Sequence, residues 1–196
     1  MATGVGISQA LEAVVLAAGE GRRFGGGKLL APWRGGVLLD GALAAAFSAP
    51  VRAVTVVTGA QGEQVVAAAR AFAAGAGQSE RLRLVHAPDH GEGMGASLRA
   101  AIAALPPDAE AAFVFLGDMP RVPHGLAAEL AAAPRFEGRR GNPVLVSRAL
   151  FPALRRLAGD EGARRVLQGL GERLALVDAA DDGVLFDVDE PGQLPP

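Results

Sequence analysis

Short apolar runs alternate with alanine-rich stretches up to Asp118, and this alternation restricts the fold more than any other feature of the sequence. The run at 111–116 is apolar at every position, which is typical of a strand covered by helices on both faces of a parallel sheet. The pattern predicts strands at 14–18, 53–58, 82–87 and 111–116, with helices at 39–49, 61–74 and 95–105. This repeated strand–helix order predicts an open, doubly wound α/β sheet.

The regular alternation of strands and helices ends after Asp118, where the predicted elements become shorter and more varied. We expect a helix at 124–132, a basic segment at 135–140, a strand at 144–147, helices at 149–158 and 161–170, and strands at 174–177 and 184–188. Asp160 is placed to cap the second of the two consecutive helices. A chain of 196 residues is long enough for one domain and short for two, so we predict a single domain.

The composition excludes several classes of protein. Half of the residues are hydrophobic, and the net charge of -2 arises from 19 basic and 21 acidic residues spread along the chain, which argues against a nucleic-acid binder. The absence of cysteine excludes disulfides, thiolate metal sites and cysteine nucleophiles. We find neither a signal peptide nor an apolar run of the roughly 18 residues that a membrane helix needs, so we expect a cytoplasmic protein without a membrane partner.

A glycine-rich segment follows the first predicted strand and carries three cations. Glycines stand at positions 19, 21, 25, 26 and 27, and Arg22, Arg23 and Lys28 lie among or beside them. Glycine reaches positive φ at little cost, so such a turn brings backbone N–H groups close to an anionic ligand. Arg23 and Lys28 are near enough in sequence to reach one triphosphate. A solvated glycine turn is the alternative interpretation.

Two common nucleotide loops do not match this segment. A P-loop needs glycine at the position of Arg22 and serine or threonine at the position of Leu29. A dinucleotide fingerprint that begins at Gly19 needs glycine or alanine where Phe24 stands. A P-loop NTPase and a dehydrogenase are therefore disfavoured.

Two further turns follow predicted strands and belong at the same edge of the sheet as the glycine loop. In the turn at 88–97, Ser97 is either a base or ribose contact or a serine bonded to its own backbone. In the turn at 117–120, Asp118 ends a buried strand, where a carboxylate suits a cation that bridges phosphates; a helix cap ahead of Pro123 is the alternative.

The remaining polar residues give weaker signals. Asp187 and Asp189 stand two positions apart at the end of an apolar run, and alternate residues of a strand point the same way, so both can face one cation. The alternative is that one binds the cation and the other only fixes a loop. The three histidines, His86, His90 and His124, have no spacing typical of metal ligands. His86 and His90 flank a turn and are interpreted as solvated loop residues, with contact to a substrate as the alternative. The arginines at 135, 139 and 140 are interpreted as a solvated run, with a gate for an anionic second substrate as the alternative.

Together these motifs resemble the MobA-like nucleotidyltransferases. The opening signature of that family matches Leu16, Ala17, Ala18, Gly19, Arg23, Gly25 and Lys28. Further similarities to the molybdenum cofactor cytidylyltransferase branch are GMGASL at 93–98, LGDMP at 116–120, GNPVL at 141–145, GDEGAR at 159–164 and DVDEP at 187–191.

The resemblance implies a Rossmann-like, GT-A-like three-layer sandwich with a mostly parallel mixed sheet. Its nucleotide-binding part would cover 12–120, and its acceptor-binding part 121–190. The resemblance assigns the nucleotide to Leu16, Ala17, Ala18, Gly19, Gly21, Arg23, Lys28, Gly93, Met94 and Ser97. It assigns catalysis to Arg23, Lys28 and Asp118, Mg²⁺ to Asp118 with Asp187 or Asp189, and the acceptor to Asn142 and Arg164.

The resemblance also implies an activity, in which CMP passes from CTP to a molybdopterin-type cofactor. CTP is preferred over GTP because Ala18 gives the AAG form of the first motif. Two departures concern the second substrate: Asn142 stands where many relatives have histidine, and Glu190 where they have threonine. The alternatives are GTP as donor, a sugar phosphate as acceptor, and a non-catalytic protein that delivers cofactor to a molybdenum hydroxylase.

Overall fold

The computed structural model describes residues 10–124, 126–129, 133–159, 162–171 and 174–194. In the first part of the chain its elements are β1 (Leu11–Ala17), β2 (Pro32–Trp33), β3 (Gly36–Val37), α1 (Leu38–Ser48), β4 (Val54–Thr58), α2 (Gly62–Gly75), β5 (Leu82–His86), α3 (Met94–Ala104) and β6 (Ala111–Leu116). They are followed by α4 (Leu126–Glu129), β7 (Ala133–Phe136), β8 (Arg139–Arg140), β9 (Val144–Ser147), α5 (Phe151–Leu154), α6 (Ala163–Gln168) and β10 (Leu176–Asp178).

The central sheet has five strands in the order β5-β4-β1-β6-β9. β1 pairs in parallel with β4 on one side and with β6 on the other, and only β9 runs antiparallel to its neighbour. Every residue of β4 is buried, and so are four consecutive residues of β6. The continuous apolar runs of the sequence therefore reflect strands that are covered on both faces.

Helices cover both faces of this sheet and complete three layers. Leu39 and Leu43 of α1 pack with Val65 of α2 against one face. On the other face, Leu98 of α3 packs with Leu154 of α5. The predicted fold class, a three-layer α/β sandwich with a mostly parallel mixed sheet, is confirmed. None of the described helices is long and apolar enough to cross a membrane.

The part of the chain after β6 differs from the sequence prediction in several places. The basic segment forms strands β7 and β8, which join β10 in a second sheet of order β10-β7-β8. The helix predicted at 149–158 shortens to α5, and the one predicted at 161–170 shortens to α6. Asp160 lies outside the described residues, as does part of the helix predicted at 124–132.

The strand predicted at 184–188 is wrong. The chain makes a 3₁₀ turn at Asp182–Val184 and then continues without strand pairing. Instead, the Val188 N–H donates to the Asp118 carbonyl at 3.1 Å, so this segment bonds to the loop that follows β6. The apolar residues that suggested a strand are used for packing: Val184 and Val188 are fully buried.

A close backbone contact joins α1 to the loop that carries Asp118. A Cβ at Gly41 would lie 2.6 Å from the Pro120 Cα and 2.8 Å from the Pro120 Cβ. We therefore expect Gly41→Ala to lower the free energy of unfolding by about 1–3 kcal/mol, because the helix and the loop must move apart. Urea unfolding of the two proteins measures this difference.

The matched control is Gly75→Ala at the end of α2, where a Cβ would meet no atom within 4 Å. This change is expected to be neutral or to stabilise the protein by up to about 1 kcal/mol. Equal stabilities of Gly41→Ala and the unchanged protein would contradict the close contact.

Candidate functional site

A cavity of about 440 Å³ opens beyond the carboxyl ends of β1 and β6, where open α/β sheets bind their ligands. The loops after β1, β5 and β6 all contribute to its wall, as the sequence predicted. The lining residues are Leu16, Ala18, Gly19, Glu20, Gly21, Arg22, Lys28, Leu29, His90, Gly91, Glu92, Gly93, Met94, Ser97, Leu116 and Asp118. Of the residues predicted to bind the nucleotide, only Ala17 and Arg23 do not line this cavity.

The glycine loop folds as two short turns that bring Lys28 into the cavity. Gly21 and Gly27 precede these turns with φ values of 63° and 67°, in the left-handed region that favours glycine. Lys28 begins the second turn, and the buried Leu29 beside it anchors the loop to the core. The loop is therefore packed against the core through Leu29, which disfavours the interpretation as a solvated turn.

Lys28 connects the glycine loop to the loop after β6. Its Nζ lies 2.7 Å from Asp118 Oδ2 and 3.6 Å from Asp189 Oδ1. The Lys28 and Asp118 side chains are 13% and 26% exposed, so solvent screens this pair less than a surface pair. Arg23 extends the network, since its guanidinium lies 3.3 Å from Asp189 Oδ2. The three predicted catalytic residues thus belong to one charged network.

The turn that carries Asp187 and Asp189 is held by the side chain of Gln193. The Gln193 Oε1 accepts from the N–H groups of Asp189 and Glu190, each at 2.7 Å. Its Nε2 donates to the Asp187 carbonyl at 3.3 Å. Gln193 therefore fixes the backbone that places the two carboxylates, and the sequence analysis did not identify it.

The three aspartates predicted to bind Mg²⁺ do not form a ready cation site. Among the described residues, no three His, Asp or Glu side chains are spaced to hold a metal ion. The Lys28 ammonium lies between Asp118 and Asp189 instead. Partial burial raises the pKa of the Asp187 carboxyl, and the negative charges of Asp189 and Asp118 raise it further, while Lys28 lowers it.

Three polar side chains of this segment line the cavity: His90 and Glu92 in the turn before α3, and Ser97 in the first turns of α3. Ser97 is 5% exposed and lines the cavity, where a contact to a base or ribose requires it. His90 was predicted to be solvated, and this is wrong: its Nδ1 is buried without a hydrogen-bond partner. The ring fits because residue 59 is glycine, where a Cβ would lie 2.7 Å from the His90 Cδ2. His86 is exposed, as predicted. His124, whose exposure was not predicted, is exposed as well.

A smaller cavity of about 240 Å³ lies beside the first and contains Arg23. It is lined by Gly21, Arg22, Arg23, Lys28 and Asp189, and it shares Gly21, Arg22 and Lys28 with the first cavity. The two cations Arg23 and Lys28 therefore face adjoining spaces at the glycine loop. This arrangement suits a ligand whose anionic end extends out of the first cavity.

A third cavity, which we call the arginine cavity, has a volume of about 660 Å³ and shares Met94 and Leu116 with the first. Its lining residues are Met94, Leu116, Arg139, Arg140, Gly141, Asn142, Val144, Gly162, Ala163, Arg164, Leu167 and Gln168. It contains Asn142 and Arg164, both predicted to bind the acceptor. It also contains Arg139 and Arg140, which the sequence analysis interpreted as solvated.

Three curated relatives resemble the chain over nearly its whole length. It is 27% identical to the molybdenum cofactor cytidylyltransferase of Escherichia coli K12, over 93% of this chain and 92% of the relative. It is 33% identical to the purine catabolism protein PucB of Bacillus subtilis 168, over 91% of each. It is 32% identical to the nicotine blue oxidoreductase of Paenarthrobacter nicotinovorans, over 92% of this chain and 93% of the relative.

A solved structure agrees with the fold, and a family of known domains matches most of the chain. The manganese complex of Rv0371c from Mycobacterium tuberculosis superposes with a TM-score of 0.68 and 26% identity, over 88% of each chain. Residues 13–176 match the family described as the MobA-like NTP transferase domain. This range of the chain includes the glycine loop, Asp118 and the residues of the arginine cavity. The chain belongs to this family of MobA-like NTP transferases.

Proposed function

We propose that the protein is a magnesium-dependent nucleotidyltransferase that transfers CMP from CTP to the phosphate of a molybdopterin-type cofactor and releases pyrophosphate. The observation that carries the proposal is the Lys28–Asp118 ion pair, whose residues line the first cavity. Leu116, two residues before Asp118, lines both this cavity and the arginine cavity. A donor and an acceptor bound in the two cavities would meet near this pair.

The first cavity suits the nucleotide in size and in the character of its wall. Its volume of about 440 Å³ is within the usual range for small-molecule sites, about 300–1,000 Å³. Ala18 and Gly19 carry little side chain, so a base can approach their backbone closely. We assign the base and ribose to 16–19 with Gly93, Met94 and Ser97, and the triphosphate to Gly21, Arg23 and Lys28.

The carboxylates fit Mg²⁺ only if the nucleotide supplies further ligands. Mg²⁺ is usually held by one or two carboxylates together with phosphate oxygens and waters, so Asp118 with Asp189 or Asp187 is a sufficient protein contribution. When bound, the metal ion would neutralise phosphate charge. Lys28 would then leave Asp118 and contact the triphosphate. The manganese complex of the mycobacterial relative supports a divalent metal in this fold.

The reaction needs positioning and charge neutralisation more than a base. An oxygen of the acceptor phosphate is already anionic, so it forms a bond to the α-phosphorus while the bond between that phosphorus and the bridging β-phosphate oxygen breaks. Lys28 and Arg23 would stabilise the charge that develops on the departing pyrophosphate. The glycine loop would hold both cations where that charge appears.

The acceptor is proposed from the cytidylyltransferase relative and from the charge of the arginine cavity. A cavity lined by arginines suits an anionic acceptor. In this proposal, residues 12–120 bind the nucleotide and 121–190 bind the acceptor.

The first test measures pyrophosphate release with each of the four NTPs, Mg²⁺ and the molybdopterin-type cofactor. We expect release with CTP to exceed release with GTP, as the AAG motif at Ala18 predicts. Preference for GTP would contradict the assignment of the nucleotide. No release with any NTP would contradict nucleotidyl transfer itself and would favour a protein that only delivers cofactor.

Removal of the Asp118 carboxylate is expected to lower the rate of turnover strongly without unfolding the protein. We expect Asp118→Asn to lower kcat by about 100-fold or more, the size of effect seen when a group that stabilises a developing charge is removed. The control is Asp108→Asn, whose carboxylate pairs with Arg52 and does not line the first cavity. Similar kcat values for the two variants would contradict the catalytic role of Asp118.

Removal of the Lys28 ammonium is expected to weaken the use of CTP. We expect Lys28→Met to lower kcat/KM for CTP by about 100-fold to 1,000-fold, because the triphosphate loses a cation in the transition state. Steady-state kinetics with varied CTP measures the effect. The control is Arg22→Met, since Arg22 lines the same cavity but is largely exposed beside Glu20. An equal loss in both variants would show that Lys28 contributes only general positive charge.

A further inference from the structure

The arginine cavity has an excess of positive charge. Arg139, Arg140 and Arg164 line it, and no Asp or Glu of the described chain does. The neutral polar residues Asn142 and Gln168 complete its polar wall. A cavity lined by guanidinium groups without carboxylates is a site for an anion, since guanidinium matches the geometry of oxyanions.

Two of these arginines come from different elements and are brought close together. Arg140 belongs to β8 and Arg164 to α6. Burial lowers the pKa of Arg140, and the positive charge of Arg164 lowers it further. Among the described residues neither arginine has a carboxylate partner, so two like charges face one cavity without a neutralising side chain in the described chain.

Other arginines of this protein are paired with carboxylates. Arg135, five residues before Arg140, lies 2.8 Å from Asp178, and Arg121 lies 2.7 Å from Asp182. Arg52 contacts both Glu12 and Asp108. Arg135 and Arg140 belong to one hairpin, but only Arg135 has a carboxylate partner among the described residues. Arg135 therefore has a structural role, whereas Arg140 is available to a ligand.

The position of the arginine cavity determines which part of a ligand it would hold. The cavity joins the first one at Met94 and Leu116, and Met94 is 43% exposed at this junction. An acceptor whose reacting phosphate lies near Lys28 and Asp118 would therefore extend past Met94. The arginines would contact its far portion rather than the phosphate that reacts.

We propose that the arginine cavity binds a second anionic group of the acceptor, distinct from the phosphate that attacks the nucleotide. Arg140 and Arg164 hold this group, and Arg139 contributes at the exposed rim. The acceptor class is thus a phosphate compound that carries a further oxyanion at its other end. This inference rests on the proposed nucleotidyl transfer and specifies how that reaction selects its acceptor.

The test compares Arg140→Gln and Arg164→Gln with the unchanged protein in the pyrophosphate assay, with the molybdopterin-type cofactor varied at saturating CTP. Each variant is expected to raise KM for the acceptor by about 10-fold to 100-fold, the effect of losing a hydrogen bond to a charged group. We expect kcat at saturating acceptor to change less than about threefold, because the reacting phosphate is held elsewhere. Calorimetric titration with CTP should give an unchanged Kd, which also shows that the variants are folded.

The control variant is Arg135→Gln, which removes a neighbouring arginine that pairs with Asp178 and does not line the cavity. Its acceptor KM should equal that of the unchanged protein. If a glutamine variant does not fold, Arg140→Lys and Arg164→Lys keep the charge but remove the planar fork, and each should still raise the acceptor KM.

The outcomes separate this inference from the proposed function. If the unchanged protein turns over while the Arg140 and Arg164 variants keep its acceptor KM, that result leaves the proposed function intact and overturns the second anion site. An equal rise of KM in Arg135→Gln overturns it too, because general positive charge then explains the effect. Absence of turnover in the unchanged protein overturns the proposed function, and the second anion site with it.

Discussion

The ion pair between Lys28 and Asp118 is the interaction on which the candidate site depends. It joins the glycine loop after β1 to the loop after β6, and these two strands are neighbours at the centre of the sheet. Asp189 adds a third segment, because its carboxylate lies within 3.6 Å of both Lys28 and Arg23. The backbone supports the same arrangement, since Val188 donates to the Asp118 carbonyl and Gln193 holds the turn around Asp189. Three distant parts of the sequence are therefore fixed around one ammonium group.

Much of the fold could be predicted from the sequence because burial on both faces leaves a distinct pattern. The limits of β6 and β9 were predicted correctly, since both strands are short apolar runs with clear ends. The prediction of a strand at 184–188 is wrong because an apolar run indicates burial and does not indicate which hydrogen-bond partners the backbone has. Val184 and Val188 are buried, yet their segment packs against a loop and gains no strand neighbour. Only tertiary context separates the two cases.

The candidate site was predictable where a motif combines glycines with charge, and less so elsewhere. Lys28 and Asp118 belong to such motifs, and both line the first cavity. Arg140 was interpreted as part of a solvated run, with a gate for an anionic substrate only as the alternative, because a run of arginines in a sequence does not reveal which of them lack a carboxylate partner. His90 was missed because the space for its ring is created by Gly59, a residue on another turn. Gln193 acts through backbone contacts, for which the sequence contains no signal.

The central claim is that Lys28 leaves Asp118 for the triphosphate, so that metal and nucleotide bind together. The most direct measurement is the affinity for Mn²⁺, followed by electron paramagnetic resonance, with and without a non-hydrolysable CTP analogue. Binding linkage requires each ligand to strengthen the other by the same factor, and we expect Mn²⁺ to bind about tenfold or more tightly to the protein when the analogue is present. Equal Mn²⁺ affinity in both conditions, after correction for metal bound by the free analogue, would contradict the claim.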